Sequence, residues 1–188
     1  MEALVSILLG AGLAAACGFR VFVPFLALSI AAHNGHVPLS SGFEWIGSTP
    51  AMIAFASATI LEVGAYYVPW LDNALDTLAT PVAVLAGVVL TAAVVTDLSP
   101  VLRWGVAVIA GAGMAGTVQS ATVLTRLKSS VLTGGVANPL VSTGETAGSA
   151  TTSVLALLLP VVTFVLIVVG LVIVFMTVRR MTRARRTG

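Results

Sequence analysis

The sequence predicts an all-α, polytopic membrane domain, and three observations carry that prediction. Of 188 residues, 58% are hydrophobic and only 9% are charged, with a mean hydropathy of +1.08; an average soluble domain is about a quarter charged. The charges are unevenly placed. Five of the nine basic residues (Arg179, Arg180, Arg183, Arg185, Arg186) crowd the C-terminal end, leaving four basic and seven acidic residues for the rest. Finally, the charge-free windows match the roughly 20 apolar residues that a spanning helix needs. Too few charges remain to solvate a globular surface, so a soluble enzyme, a disordered chain and a nucleic-acid binder are excluded as whole-chain readings.

Taken in order, the windows predict five clear spans. The first, near 5–32, joins two charge-free runs, Ala3–Phe19 and Val21–Phe43, around the single charge Arg20, with Pro24 as a kink position. The second, near 50–68, holds Glu62. The third and fourth lie near 78–97 and 104–125. The fifth, near 152–178, is long enough to tilt or protrude and has a second kink position at Pro160.

Residues 129–149, SSVLTGGVANPLVSTGETAGS, form the sixth segment, with paired glycines, an Asn-Pro and one charge. This pattern predicts a broken helix or a re-entrant hairpin. The arginine tail fixes the C-terminus in the cytoplasm, and Arg126 and Lys128 join it there only if 129–149 also crosses. Six crossings with both termini cytoplasmic is therefore the preferred topology, and a hairpin the second. The domain is 1–178, followed by a basic cytoplasmic tail, 179–188. Gly10-Ala11-Gly12-Leu13-Ala14-Ala15 echoes Gly111-Ala112-Gly113-Met114-Ala115-Gly116. Three crossings between them would make a three-plus-three inverted repeat; chance similarity of small residues reads the echo as well.

The one cysteine, Cys17, excludes an internal disulfide. Leu13 is one position too far from it for a lipoprotein cleavage box, and no basic residue precedes the run, so Cys17 reads as small packing filler.

Several stretches resemble a bacterial integral-membrane family classed as domain of unknown function 4126. They are Gly18-Phe19-Arg20 with Pro24, Ser48-Thr49-Pro50, Glu62 followed by Asp72 and Asp76, Thr80-Pro81, and Gly134-Gly135-Val136-Ala137-Asn138-Pro139. The resemblance rests on their order along nearly the whole chain. It implies a small multi-span protein of the bacterial inner membrane and implies no activity.

Residue chemistry points to a polar seam. An arginine centred in a span costs about 3 kcal/mol on insertion scales, so Arg20 needs an acidic partner inside the protein. Glu62 is the first candidate, with Asp97 and Glu145 in reserve. A buried structural ion pair and a substrate-binding or proton-coupled pair explain Arg20 equally well. Asn138 and Glu145 offer oxygens beside the irregular backbone of 129–149. Asp72 and Asp76, one turn apart, form a weak cation site or simply hydrate an interfacial turn. His33 and His36 read as solvated loop residues, and Gly144-x-x-x-Gly148 as a packing face. The expected function is passage of an ion or small solute past Arg20, Glu62, Asp97, Asn138 and Glu145. The alternative is a non-transporting accessory subunit of a larger membrane complex. No nucleophile set, metal motif or cofactor motif appears, so no enzyme activity, metal or cofactor is expected. The partners expected are the lipid bilayer, the solute and a second copy in a homodimer.

Overall fold

A computed structural model describes residues 2–184, apart from the side chains of 69–77, 174–175, 178 and 180–184. The described chain is all-helical. The helices are α1 (Glu2–Cys17), α2 (Phe22–His33), α3 (Thr49–Ala65), α4 (Pro69–Val94), α5 (Pro100–Val106), α6 (Gly113–Thr133), α7 (Asn138–Leu158) and α8 (Pro160–Ala184). A π-helical segment, Ala107–Ala112, joins α5 to α6 without a break, and a 3-10 turn, Glu44–Gly47, precedes α3. The run Pro100–Thr133 is long and apolar enough to cross a membrane; shorter apolar helices of 10–17 residues include Glu2–Cys17, Phe22–His33, Thr49–Ala65, Leu78–Val94 and Pro160–Ile173.

The central element is α1, in which every residue from Leu9 to Cys17 is buried. Small side chains allow this. A Cβ added to Gly10 would meet Thr91 of α4 at 2.9 Å, and one added to Gly12 would meet Ala156 of α7 at 2.8 Å. On the far side of α4, Gly87 and Gly111 meet backbone to backbone: a Cβ on Gly111 would lie 2.5 Å from the Gly87 carbonyl oxygen. The π-helical segment falls at this contact, where the widened turn accommodates the approach.

The contacts fix the direction of each helix. Gly10 faces Thr91 and Ala14 faces Gly87, so α1 and α4 are antiparallel. Ser40 donates its backbone N–H to Ala93 O at 2.8 Å, beside the C-terminal end of α4. A chain that continued straight from α1 into α2 would leave His33 about 35 Å from Ala93, more than the seven residues from there to Ser40 can span. The chain therefore doubles back at Gly18–Val21, and α1 and α2 form a hairpin. α3 runs antiparallel to α2, with Gly47 beside Ala32 and Glu62 beside Val21. α6 passes Thr91, Gly87 and then Val84, so it also runs against α4. α7 returns along α6, pairing Asn138 with Ser130 and Glu145 with Arg126. At Leu159 the chain reverses again, because Gly12 touches both Ala156 and Thr163. Counting the continuous α5–α6 run once, the described chain makes seven alternating passes, and its two ends lie at opposite ends of the bundle.

This revises the expected layout. The first apolar run is two helices rather than one span. Pro24 causes no kink; it sits in the first turn of α2, where its missing N–H is no loss. The third span starts earlier, at Pro69, and carries Pro81 inside it. Residues 129–149 are neither a broken span nor a re-entrant one. They are the end of α6, a turn and the start of α7. Gly134 and Gly135 make that turn at φ of 62° and 88°, a left-handed geometry that glycine adopts without strain. The last apolar run is split before Pro160, which cannot continue α7. Finally, the two similar glycine runs lie on parallel elements. Both pack against Gly87–Thr91 of α4 from different sides. The hairpin at Arg20 adds a pass between them, so an inverted repeat that equates these runs is ruled out.

Candidate functional site

The α1–α2 break interrupts the helical backbone pairing, and polar side chains from three neighbours bond to backbone groups around it. The carboxylate of Glu62, from α3, accepts the N–H of Val21 at 2.7 Å and of Phe22 at 2.9 Å. It therefore caps the N-terminus of α2 from outside that helix. Ser149 of α7 donates to Ala16 O at 2.9 Å, and Thr122 of α6 donates to Gly18 O at 3.3 Å. Gly18 permits this closeness, since a Cβ there would sit 2.6 Å from the Val118 side chain.

Arg20 occupies the break and is 1% exposed. Its guanidinium points into α7. Nε donates to Thr146 Oγ1 at 3.1 Å, and Nη2 donates to the carbonyl oxygen of Ser142 at 3.0 Å and to its Oγ. The same Nη2 lies 3.4 Å from Glu145 Oε2. Glu145 also pairs with Arg126 of α6, whose Nε reaches the two carboxylate oxygens at 2.9 and 3.1 Å and whose Nη2 meets Oε2. The Tyr66 ring, at the end of α3, takes both cations: the guanidinium carbons of Arg20 and Arg126 lie 3.8 and 4.4 Å from its centroid. Two buried guanidiniums thus share one buried carboxylate and one aromatic ring.

The five expected path residues part company here. Arg20 and Glu145 meet. Glu62 is adjacent but is committed to the α2 amides, so the first-choice partner of Arg20 is replaced by the reserve one, Glu145. Asn138 is seven residues before Glu145, about 10 Å along α7, and bonds Ser130 at 3.1 Å across the α6–α7 turn. Asp97 is exposed in the α4–α5 connection, beyond Thr91 and hence at the opposite end of α1 from Arg20. Both therefore fall outside the cluster. Asp72 and Asp76 lie in 69–77, outside the described side chains. His33 is exposed, with Nδ1 at 2.9 Å from Gly47 O, and His36 is exposed as well. Gly144 has open space around it, so Gly144-x-x-x-Gly148 is no packing face within the chain, although Phe19 lies 3.8 Å from the Gly148 position.

Sequence reasoning treated Arg126 only as a topology marker, and it missed Ser142 and Thr146. The signal was present as helical phase. Ala115, Val118, Gln119, Thr122 and Arg126 share the buried face of α6. Ser142, Glu145, Ser149, Ser153 and Ala156 share that of α7. Apart from the adjacent pair Val118–Gln119, each series steps by three or four residues, the spacing of one helix face. Facing polar stripes bring Arg126 opposite Glu145.

Beside this cluster lies a groove of about 350 Å³ between the start of α2, α3 and α4. Its walls include Phe22, Leu61, Glu62, Tyr66, Leu78 and Val82.

No curated protein and no solved structure matches the chain. Residues 7–180, which carry the hairpin break, both arginines, Tyr66 and both glutamates of the site, match the family model described as Domain of unknown function (DUF4126), and the chain belongs to that family.

Proposed function

We propose that the chain is a polytopic membrane protein that lets a small ionic solute, most simply an anion, pass along the polar seam at Arg20, Arg126 and Glu145. The membrane reading rests on the surface. Large apolar side chains are widely exposed, among them Ile60, Leu61, Val101, Ile109, Val131, Leu132 and Val136 at 72–84%. A soluble monomer rarely exposes such contiguous patches, and a bilayer covers them. The arginine tail sets the C-terminus in the cytoplasm. Seven alternating passes then put the N-terminus on the opposite face, instead of beside it.

The observation that carries the transport reading is the burial of the cluster: Arg20, Arg126 and Glu145 meet at 1%, 4% and 7% exposure, and buried charge of this kind marks solute pathways. The accessory-subunit reading is favoured by a different fact: Arg20 already makes three hydrogen bonds to α7, which is what a structural cross-link does.

Flux separates them. Proteoliposomes containing the full chain and a halide-sensitive dye should show anion entry. The Arg20→Gln variant, which removes one of the two cations and keeps the Arg126–Glu145 pair, should fold and lose that flux. Flux that survives in this folded variant, or its absence from the parent with halide, nitrate and carboxylate probes, refutes transport and leaves the accessory reading.

A further inference from the structure

The groove between the start of α2, α3 and α4 lies beside the arginine cluster and shares Tyr66 with it. Its volume of about 350 Å³ falls at the lower end of the roughly 300–1,000 Å³ of small-molecule sites. Among the described residues the walls are apolar except at two points, Glu62 and Tyr66. Leu61 and Leu78, at 72% and 61% exposed, form the outer lip. The groove therefore opens outward, and Glu62 is the one charged group among its described lining residues.

Glu62 is incompletely neutralised. Each of its oxygens accepts one amide, from Val21 or Phe22, and each keeps further acceptor capacity. The helix end it caps supplies roughly half a positive charge. Among the described residues its hydrogen bonds are these two amides, and no cationic side chain lies within salt-bridge distance of it. Arg20 is near enough for a through-space charge interaction with Glu62, but its hydrogen bonds go to Ser142 and Thr146 of α7. A carboxylate with residual negative charge, at the inner end of an apolar trough, selects for a compact cation that carries its own hydrogen-bond donors on an apolar body.

We infer that this groove binds an amphiphile with a protonated amine head, the ammonium on Glu62 and the hydrocarbon against Leu61, Leu78 and Val82. A primary ammonium fits better than a quaternary one, because three N–H donors can use the free acceptor sites of the carboxylate. A fatty acid or an alkyl sulfate is excluded by like charge. A hydrophilic amine gains nothing from the apolar walls. The proposal stands whether or not the chain moves an anion, since binding here requires no passage through the Arg20 cluster.

The test uses the full chain in phosphatidylcholine nanodiscs with a photoreactive octadecylamine, and adducts are mapped by mass spectrometry. Adducts are expected within 58–66 and 78–82. Unlabelled octadecylamine should compete better than octadecanol or octadecanoate by about tenfold or more, the margin of a charge-assisted contact over a neutral one. Glu62→Gln, which keeps one amide acceptor, should lower the adduct yield by a similar factor. Ala79→Phe, which fills the groove and leaves the charge, should abolish it; circular dichroism confirms that both variants fold. Equal competition by the alcohol, undiminished labelling of Glu62→Gln, or adducts spread evenly over the apolar surface overturns the proposal.

Discussion

Glu145→Gln probes the electrostatics of the cluster directly. The substitution keeps the size of the side chain and removes the one carboxylate among the described residues that touches both guanidiniums. Arg20, Arg126 and Glu145 are 1%, 4% and 7% exposed, so solvent screens the interaction little. At the 3.4 Å between Arg20 Nη2 and Glu145 Oε2, an effective dielectric of about 20 gives roughly 5 kcal/mol of attraction. The bidentate pair with Arg126 adds to it. Against this stands the recovered desolvation of one carboxylate, and the net cost of breaking a buried pair is about 3–5 kcal/mol. Arg126→Gln should cost less, because Glu145 retains Arg20. The double variant should cost clearly less than the sum, with a coupling of about 1–3 kcal/mol. Denaturation in mixed micelles, followed by tryptophan fluorescence and far-ultraviolet circular dichroism, measures all three. If Glu145→Gln stays within about 1 kcal/mol of the parent, or the two costs simply add, the three side chains do not form one buried electrostatic unit.

Further predictions follow from packing and capping. Gly111→Ala should lower stability by about 2 kcal/mol or more, because its Cβ would meet the Gly87 carbonyl oxygen at 2.5 Å, whereas Gly144→Ala, with nothing within 4 Å, should be neutral or stabilising in the same micelle assay. Glu62→Ala removes the acceptor of two amides at the start of α2 and should cost about 1–2 kcal/mol; Glu62→Gln should recover part of that, and equal costs would deny the capping role. Tyr66→Ala should destabilise by about 1–2 kcal/mol beyond Tyr66→Phe, since the ring faces two guanidiniums. For topology, reporter fusions should place the N- and C-termini on opposite sides of the membrane. Reporters on the same side would contradict seven passes.

The sequence by itself determined the class of structure. The apolar windows predicted an all-α chain, and the described chain is all-helical, while Pro160, read as a kink within one span, instead opens a separate helix. It also determined that Arg20 must find an acid inside the protein, because the cost of an isolated guanidinium is a property of the residue and its neighbours in the chain.

Which acid it finds was decided only by the tertiary structure. The apolar run around Arg20 is uninterrupted by any strong helix breaker apart from Gly18 and Pro24, so its hydropathy is the same for one long span and for two helices folded together. The hairpin is held by residues distant in sequence: Glu62 accepts the Val21 and Phe22 amides, and Ser149 and Thr122 reach Ala16 O and Gly18 O. Using Glu62 in this way leaves Arg20 to Glu145. The same reversal changes the parity of the passes, which brings the two glycine runs parallel and separates the termini. Hydrophobicity along a chain reports how much of it avoids water. It carries no term for the direction in which a helix leaves a turn, and that direction rests on side-chain hydrogen bonds between residues 40 to 133 positions apart.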